Sequence, residues 1–194
     1  MKKVIIIFAV GLSFLTACDK EDELVPLSDQ EKSDLIFLRE EEKLARDVYI
    51  YSYNKFGQSI FNNISNSEQS HMNSVLNLLN KYGLTDPIAN NTYGVFSNSE
   101  LQAIYNELTA KSDSSLIKAL EVGANIEDLD INDINTFKSH TTNVELINVY
   151  DKLSCGSRNH MRSFVGQLGT YTPVYISQTE YDAVINSSNE QCGQ

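Results

Sequence analysis

Residues 67 to 79 read SEQSHMNSVLNLL, and their spacing decides how the chain folds. Ile64, Val75, Leu79 and Tyr82 recur at the interval of one helical face. Glu68 and His71 fall on that same face, where an apolar residue would pack better. Residues three apart differ by about 60° around a helix, so the two side chains point the same way. A Glu-x-x-His pair standing alone is usually a pair of solvated charges. The rest of the chain changes that reading, because three more helices place acid or histidine on their inward stripes.

The first helix is SDQEKSDLIFLREEEKLARDVYIYSYNKF, opened by a cap-like Ser28 and an acidic turn and stopped by Gly57. Its stripe is Leu35, Leu38, Glu42, Ala45, Tyr49 and Phe56. Glu40 and Glu41 lie off the stripe and are expected to be solvated. The second helix is predicted from about Ser65 to Tyr82. GLTDPIANNTYGVF, with Pro87 and Gly94, reads as loop. A short amphipathic helix is expected at Ser99 to Lys111. A third main helix begins near Asp113, with Leu116, Leu120, Ala124, Glu127, Asp130 or Ile131, and Ile134 aligned. The fourth covers Asn143 to Leu168, with Leu146, Tyr150, Leu153, Ser157, His160, Phe164 and Leu168 in register and Gly169 at its end. The tail is expected to carry one short helix from about Ser177. The fold class is therefore all-α. Four long helices, with one long crossover between the second and third that carries the extra short helix, make the ferritin-like form of the four-helix bundle.

Glu42, Glu68, His71, Glu127, Asp130 and His160 all fall near the middle of their helices. Antiparallel packing brings such positions to one level. Four carboxylates buried together cannot all stay ionised, since each unpaired charge costs several kcal/mol. Two divalent cations would cancel the charge and leave two imidazoles as nitrogen ligands. Mixed carboxylate and imidazole donors suit iron or manganese, and zinc as well. His140, beside Ser139 and two threonines, reads as a loop residue, and Glu121 as a surface acid.

The same residues carry a family resemblance. EKLARDVY, from Glu42 to Tyr49, resembles the first helix of rubrerythrin-type ferritin-like proteins, in which a ligand glutamate precedes a tyrosine by two turns. SEQSHMNSVLNLL resembles their second helix, and IEDLDI their third, with its acid-x-x-acid pair on Glu127 and Asp130. REEEKLARDVY, IEDLD and GSRNHMRSF together are most similar to a domain-of-unknown-function branch of that superfamily, over most of residues 30 to 185. The resemblance implies a dimetal-carboxylate bundle holding one or two transition metals, with oxidase, peroxidase or iron-handling activity. It implies Tyr49 and Ser157 as neighbours of the ligands. The family at large has Glu-x-x-His in the fourth helix, where this chain has Ser157, so one metal position loses a ligand or a bridge. Non-enzymatic metal or partner binding in the envelope is the alternative. An enzyme of this kind needs an external electron donor, because the chain has no zinc-ribbon cysteines, haem motif or nucleotide loop. Assembly into a homodimer is left open.

Acidic residues outnumber basic ones 26 to 15 over 194 residues, which excludes nucleic acid as a partner. MKK followed by VIIIFAVGLSFL has the form of a secretory signal, and its apolar run of about a dozen residues is too short to span a bilayer. LTAC, Leu15 to Cys18, resembles the lipobox of bacterial lipoproteins. That implies a signal peptide over 1–17, a lipidated Cys18 with an acidic tether over 18–29, and the ferritin-like domain over 30–194. The membrane is then met only through the lipid anchor, in the bacterial cell envelope, on the periplasmic or the outer-membrane surface. In that oxidising compartment the two remaining cysteines, Cys155 and Cys192, are expected to form a disulfide worth about 3–4 kcal/mol. Helical phase turns Cys155 away from the acid and histidine stripe.

Overall fold

The computed structural model describes residues 24–88 and 90–193. The signal segment, Cys18 and the start of the tether lie outside the described residues. Among those described there are six helices and no strand: α1 Asp29–Phe56, α2 Ser59–Lys81, α3 Ser99–Ser112, α4 Leu116–Ser139, α5 Val144–Leu168 and α6 Gln178–Ile185. None of them is long and apolar enough to cross a membrane.

Local chemistry sets the ends of α1. Ser28 Oγ accepts the Glu31 N–H at 3.2 Å while Glu31 returns a carboxylate oxygen to the Ser28 N–H at 2.7 Å, a reciprocal capping box. Gly57 closes the helix in the left-handed region at φ 65°, where a Cβ would be strained. So short a link forces α2 back along α1, and α5 returns along α4 after a similar turn. The two hairpins meet through α1 against α4 and α2 against α5. α3 rides in the connection between α2 and α4 and packs on α1 and α4, while α6 leans on α5.

Helix α2 begins six residues before its expected start at Ser65. SIFNNI lacks a strong cap, and Gln58 makes no capping bond through its side chain. Burial of Phe61 and Ile64 extends the helix instead. Cooperative helix propagation makes that extra turn and a half inexpensive once the apolar contacts exist.

The apolar interior is split in two. One cluster holds Leu35, Leu38, Val75, Leu79, Ile134, Leu146, Tyr150 and Leu153. The other holds Tyr49, Phe61, Ile126, Met161 and Phe164. Between them, at the level of Glu42, Glu68, Glu127 and His160, the interior is polar.

Glu40 and Glu41 are buried, contrary to the solvated reading, and every residue of α1 from Leu38 to Tyr49 is buried with them. For Glu40 the cause is the crossover, which lies over the outer face of α1, whereas Glu41 has Asp133 of α4 beside it. Arg39 pairs with Asp86 at 3.0 Å and donates to the Met72 carbonyl at 2.9 Å. Glu40 accepts the N–H groups of Ser97 and Asn98 at 2.5 and 3.0 Å, capping the approach to α3. Lys43 joins Asp47 and the Thr92 carbonyl, and Arg46 joins Asp47, Gln69 and Asn91. These are charges used to fasten a loop. A periodicity count cannot see them, because it assumes that the outer face meets water.

Candidate metal centre

Glu68 is the hub of the polar layer. It is fully buried, with Oε2 2.7 Å from Nδ1 of His71 and Oε1 2.8 Å from Nδ1 of His160. α2 supplies Glu68 and His71 from adjacent turns of one face, as their spacing requires, and α5 brings His160 from the opposite side. Glu42 of α1 places Oε2 3.2 Å from Nδ1 of His71, and Glu127 of α4 places Oε2 3.4 Å from Nδ1 of His160. The imidazoles stack at 5.5 Å between centroids. Two buried triads result, Glu42–Glu68–His71 and Glu68–Glu127–His160, and each could hold a metal ion. They share Glu68, one oxygen to each.

Five of the six residues expected on stripe spacing fall into these triads. Asp130 is buried one turn from Glu127, and both its oxygens lack a hydrogen-bond partner, but it belongs to neither triad. Tyr49 donates its hydroxyl to Glu127 Oε1 at 2.6 Å and so lies beside the second triad. The Ser157 hydroxyl donates to the Leu153 carbonyl at 3.2 Å and offers nothing to either triad. His140 lies at the end of α4, its Nδ1 2.8 Å from Asp34, away from the layer. Glu121 pairs with Lys118 near the surface.

The sequence reading missed three residues. Ser67, directly before Glu68, has its Oγ 2.9 Å from Nε2 of His160. Gly156 is the point where α5 passes His71: an added Cβ would stand 2.5 Å from Nε2. Its signal is visible afterwards, a glycine inside a helix where alanine would be about 1 kcal/mol more favourable. Asp128 is buried and gathers the N–H groups of Val174, Tyr175 and Ile176 with the Tyr171 hydroxyl, at 2.5 to 3.1 Å. It faces the tail while Glu127 faces the layer. Cys155 is disulfide-bonded to Cys192, as expected, on the side of α5 away from the triads.

The electrostatics are those of acids crowded without enough donors. Burial pushes Glu42 up, only partly offset by His71. Burial, then Glu41, Glu42, Glu127 and Glu68 in turn, push Asp130 well above the carboxylate range. Burial and the charge of Glu68 bring Glu127 to about 7 against the pull of His160 and Tyr49. Glu68 goes the other way. Burial opposes its charge, but His160 and His71 outweigh that and hold it far below its ordinary value. Burial also opposes charge on the imidazoles. Glu68 and Glu42 nonetheless raise His71 well above its usual range, and Glu68 and Glu127 raise His160 to about 10.

The oxygens of Glu68 meet only the two imidazoles, and Oε1 of Glu42 has no hydrogen-bond partner, so the carboxylates of each triad converge with few donors to satisfy them. Acceptors that outnumber the two imidazole donors between them and converge on two points fit cations that would displace those imidazole protons. Oxygen and imidazole donors in this mixture suit iron, manganese or zinc.

Residues 31–188 match the family model described as Uncharacterized protein domain (DUF2202). The chain belongs to this family. It is similar to the uncharacterised protein MJ0754 of Methanocaldococcus jannaschii, 48% identical over 184 residues, which are 93% of this chain and 97% of that one. A crystal structure of the hypothetical protein MJ0754 from Methanococcus jannaschii superimposes with a TM-score of 0.85 at 50% identity, covering 86% of this chain and 98% of that one. The family fold therefore extends across nearly all the described helices, and the polar layer lies inside the matched region.

Proposed function

We propose that this chain is a ferritin-like dimetal protein of the cell envelope. In this reading α1, α2, α4 and α5 form the four-helix bundle and Glu42, Glu68, His71, Glu127 and His160 hold two divalent transition-metal ions, iron or manganese. One observation carries the proposal: Glu68 directs one oxygen to each of two buried triads whose remaining acceptor atoms are largely unpartnered. Bound iron would supply electron transfer with oxygen, peroxide or further ferrous iron as reactant. The protein's own part is to fix geometry and exclude water. Tyr49 keeps its proton, because burial and the carboxylates of Glu127, Glu68 and Asp130 push its phenol well up, and it steadies Glu127. Asp130 stands beside the triads as a carboxyl that can accept or release a proton. The two apolar clusters close the layer on both sides.

Ser157 favours a second reading, binding without turnover. Its hydroxyl is turned to Leu153, so α5 brings one ligand where the resembling proteins bring two. Iron-loaded protein, prepared without oxygen and then exposed to air or hydrogen peroxide, separates the readings. A new near-ultraviolet band from an oxygen-bridged pair, with consumption of oxidant, supports the redox protein. Bound iron that stays unchanged supports the binding protein. Less than about 0.2 metal per chain after reconstitution at neutral pH, where metal competes with protons for the ligands, removes both. Export and lipidation at Cys18 rest on the LTAC resemblance; incorporation of labelled palmitate into the parent and not into Cys18→Ser is the expected result.

A further inference from the structure

We infer that the two triads fill in a fixed order, Glu68–Glu127–His160 before Glu42–Glu68–His71, and that Ser67 is the positioning residue that sets the order. The inference rests on the two-metal reading above and adds to it a difference between the two positions.

The His160 triad is braced from outside. Nε2 of His160 lies 2.9 Å from Ser67 Oγ, and a proton on Nε2 donated to that hydroxyl reserves Nδ1 for an ion. Nδ1 itself faces the two carboxylates, 2.8 Å from Glu68 Oε1 and 3.4 Å from Glu127 Oε2. Glu127 is fixed in the same manner: Tyr49 occupies Oε1 at 2.6 Å and leaves Oε2 with no partner. In both His160 and Glu127 the atom away from the centre is tied to a neighbouring helix and the other atom faces the centre. Such outer contacts orient metal ligands and cost about 10–100-fold in affinity when removed.

The His71 triad has no such braces among the described residues. Nδ1 of His71 stands 3.2 Å from Glu42 Oε2 and 2.7 Å from Glu68 Oε2, contacts that an ion must part just as it must part those of His160. Oε1 of Glu42 has no partner, so nothing outside the triad holds that carboxylate. Among the described residues no hydrogen bond reaches Nε2 of His71, which packs instead against the bare backbone of Gly156. An ion entering here must hold in place two side chains, Glu42 and His71, whose far atoms have no hydrogen bond among the described residues. The first ion therefore goes to His160, and the second position is the exchangeable one. A centre of this kind can carry two different metals.

Manganese(II) titrated into the metal-free whole chain and followed by electron paramagnetic resonance tests this. In the parent, isolated manganese is expected up to one equivalent, with the exchange-coupled pair appearing only toward the second, at an affinity at least about tenfold weaker. Ser67→Ala is expected to weaken the first ion about 10–100-fold, so that pairs form from the first additions, and Ser67→Thr to restore the parent pattern. His160→Ala should remove the tight phase, and Glu42→Gln only the weak one. Coupled pairs from the first addition in the parent, or a Ser67→Ala titration that overlays the parent, overturn the order while leaving two metals in place. No manganese uptake by the parent overturns the two-metal reading and the order with it.

Discussion

Glu41 and Glu42 are neighbours on α1 with different surroundings. Glu42 meets His71, whereas Glu41 is buried with neither oxygen partnered and with Asp133 beside it. Burial first, then the Asp133 and Glu42 charges, keep the Glu41 carboxyl protonated well above its ordinary range. Glu41→Gln imitates that neutral form. It should raise the melting temperature of metal-free protein at pH 8 by about 2–4 °C, the equivalent of about 1 kcal/mol, and leave it unchanged at pH 4. Gly156 is the other residue-scale test. Gly156→Ala favours the helix by about 1 kcal/mol but places a Cβ 2.5 Å from Nε2 of His71. Calorimetry should show stability held or raised while metal analysis shows the second ion lost. If the ion stays, the close approach of α5 has no bearing on the site.

At the scale of elements, the acids that do not face the triads fasten connections. Asp128 collects three backbone N–H groups from residues 174–176 and so fixes the segment leading into α6. Asp128→Ala leaves those donors without an acceptor and should cost about 3 kcal/mol, or about 6–12 °C in melting temperature. The disulfide acts further along, closing a 37-residue separation between α5 and the tail. Chain-entropy reasoning assigns it about 4 kcal/mol, so Cys192→Ser should unfold at correspondingly lower urea and expose the tail to protease first. Arg158 and Arg162 hold Glu190 as well, so the tail should loosen rather than detach. A tail that is cut no faster in Cys192→Ser would show that these ion pairs suffice.

For the whole molecule the governing fact is a buried layer with more acid than base. Asp130 and Glu41 have folded pKa values above their unfolded ones, so their contribution is complete below the unfolded carboxylate value and is lost as pH rises. His71 and His160 are also raised, so theirs is complete below the unfolded imidazole value and is lost toward about 10 for His160. Within the layer Glu68 is the depressed acid, and its contribution is lost only in acid. Metal-free protein should therefore melt lower at pH 8.5 than at pH 5.5. Saturating manganese, which displaces the protons, should reverse the slope. A metal-free melting temperature that climbs across this range would contradict the assignment of protons in the layer.

The sequence by itself determined the helices, their order, the long connection that carries α3, and five residues of the triads. It could do so because helical periodicity is local, and a buried acid or histidine is conspicuous against an apolar stripe. It also marked Cys155 and Cys192 as a pair by count and compartment. Tertiary structure alone decided what Glu40, Glu41, Asp128, Ser67 and Gly156 do. Each meets a partner far along the chain or across a helix pair: the crossover over α1, α4 against α1, the tail on α4, and α5 against α2. Spacing on one helix carries no record of which segment will cover its other faces. The division of one acidic layer into two triads sharing Glu68 likewise follows from where α1, α4 and α5 set their side chains around α2.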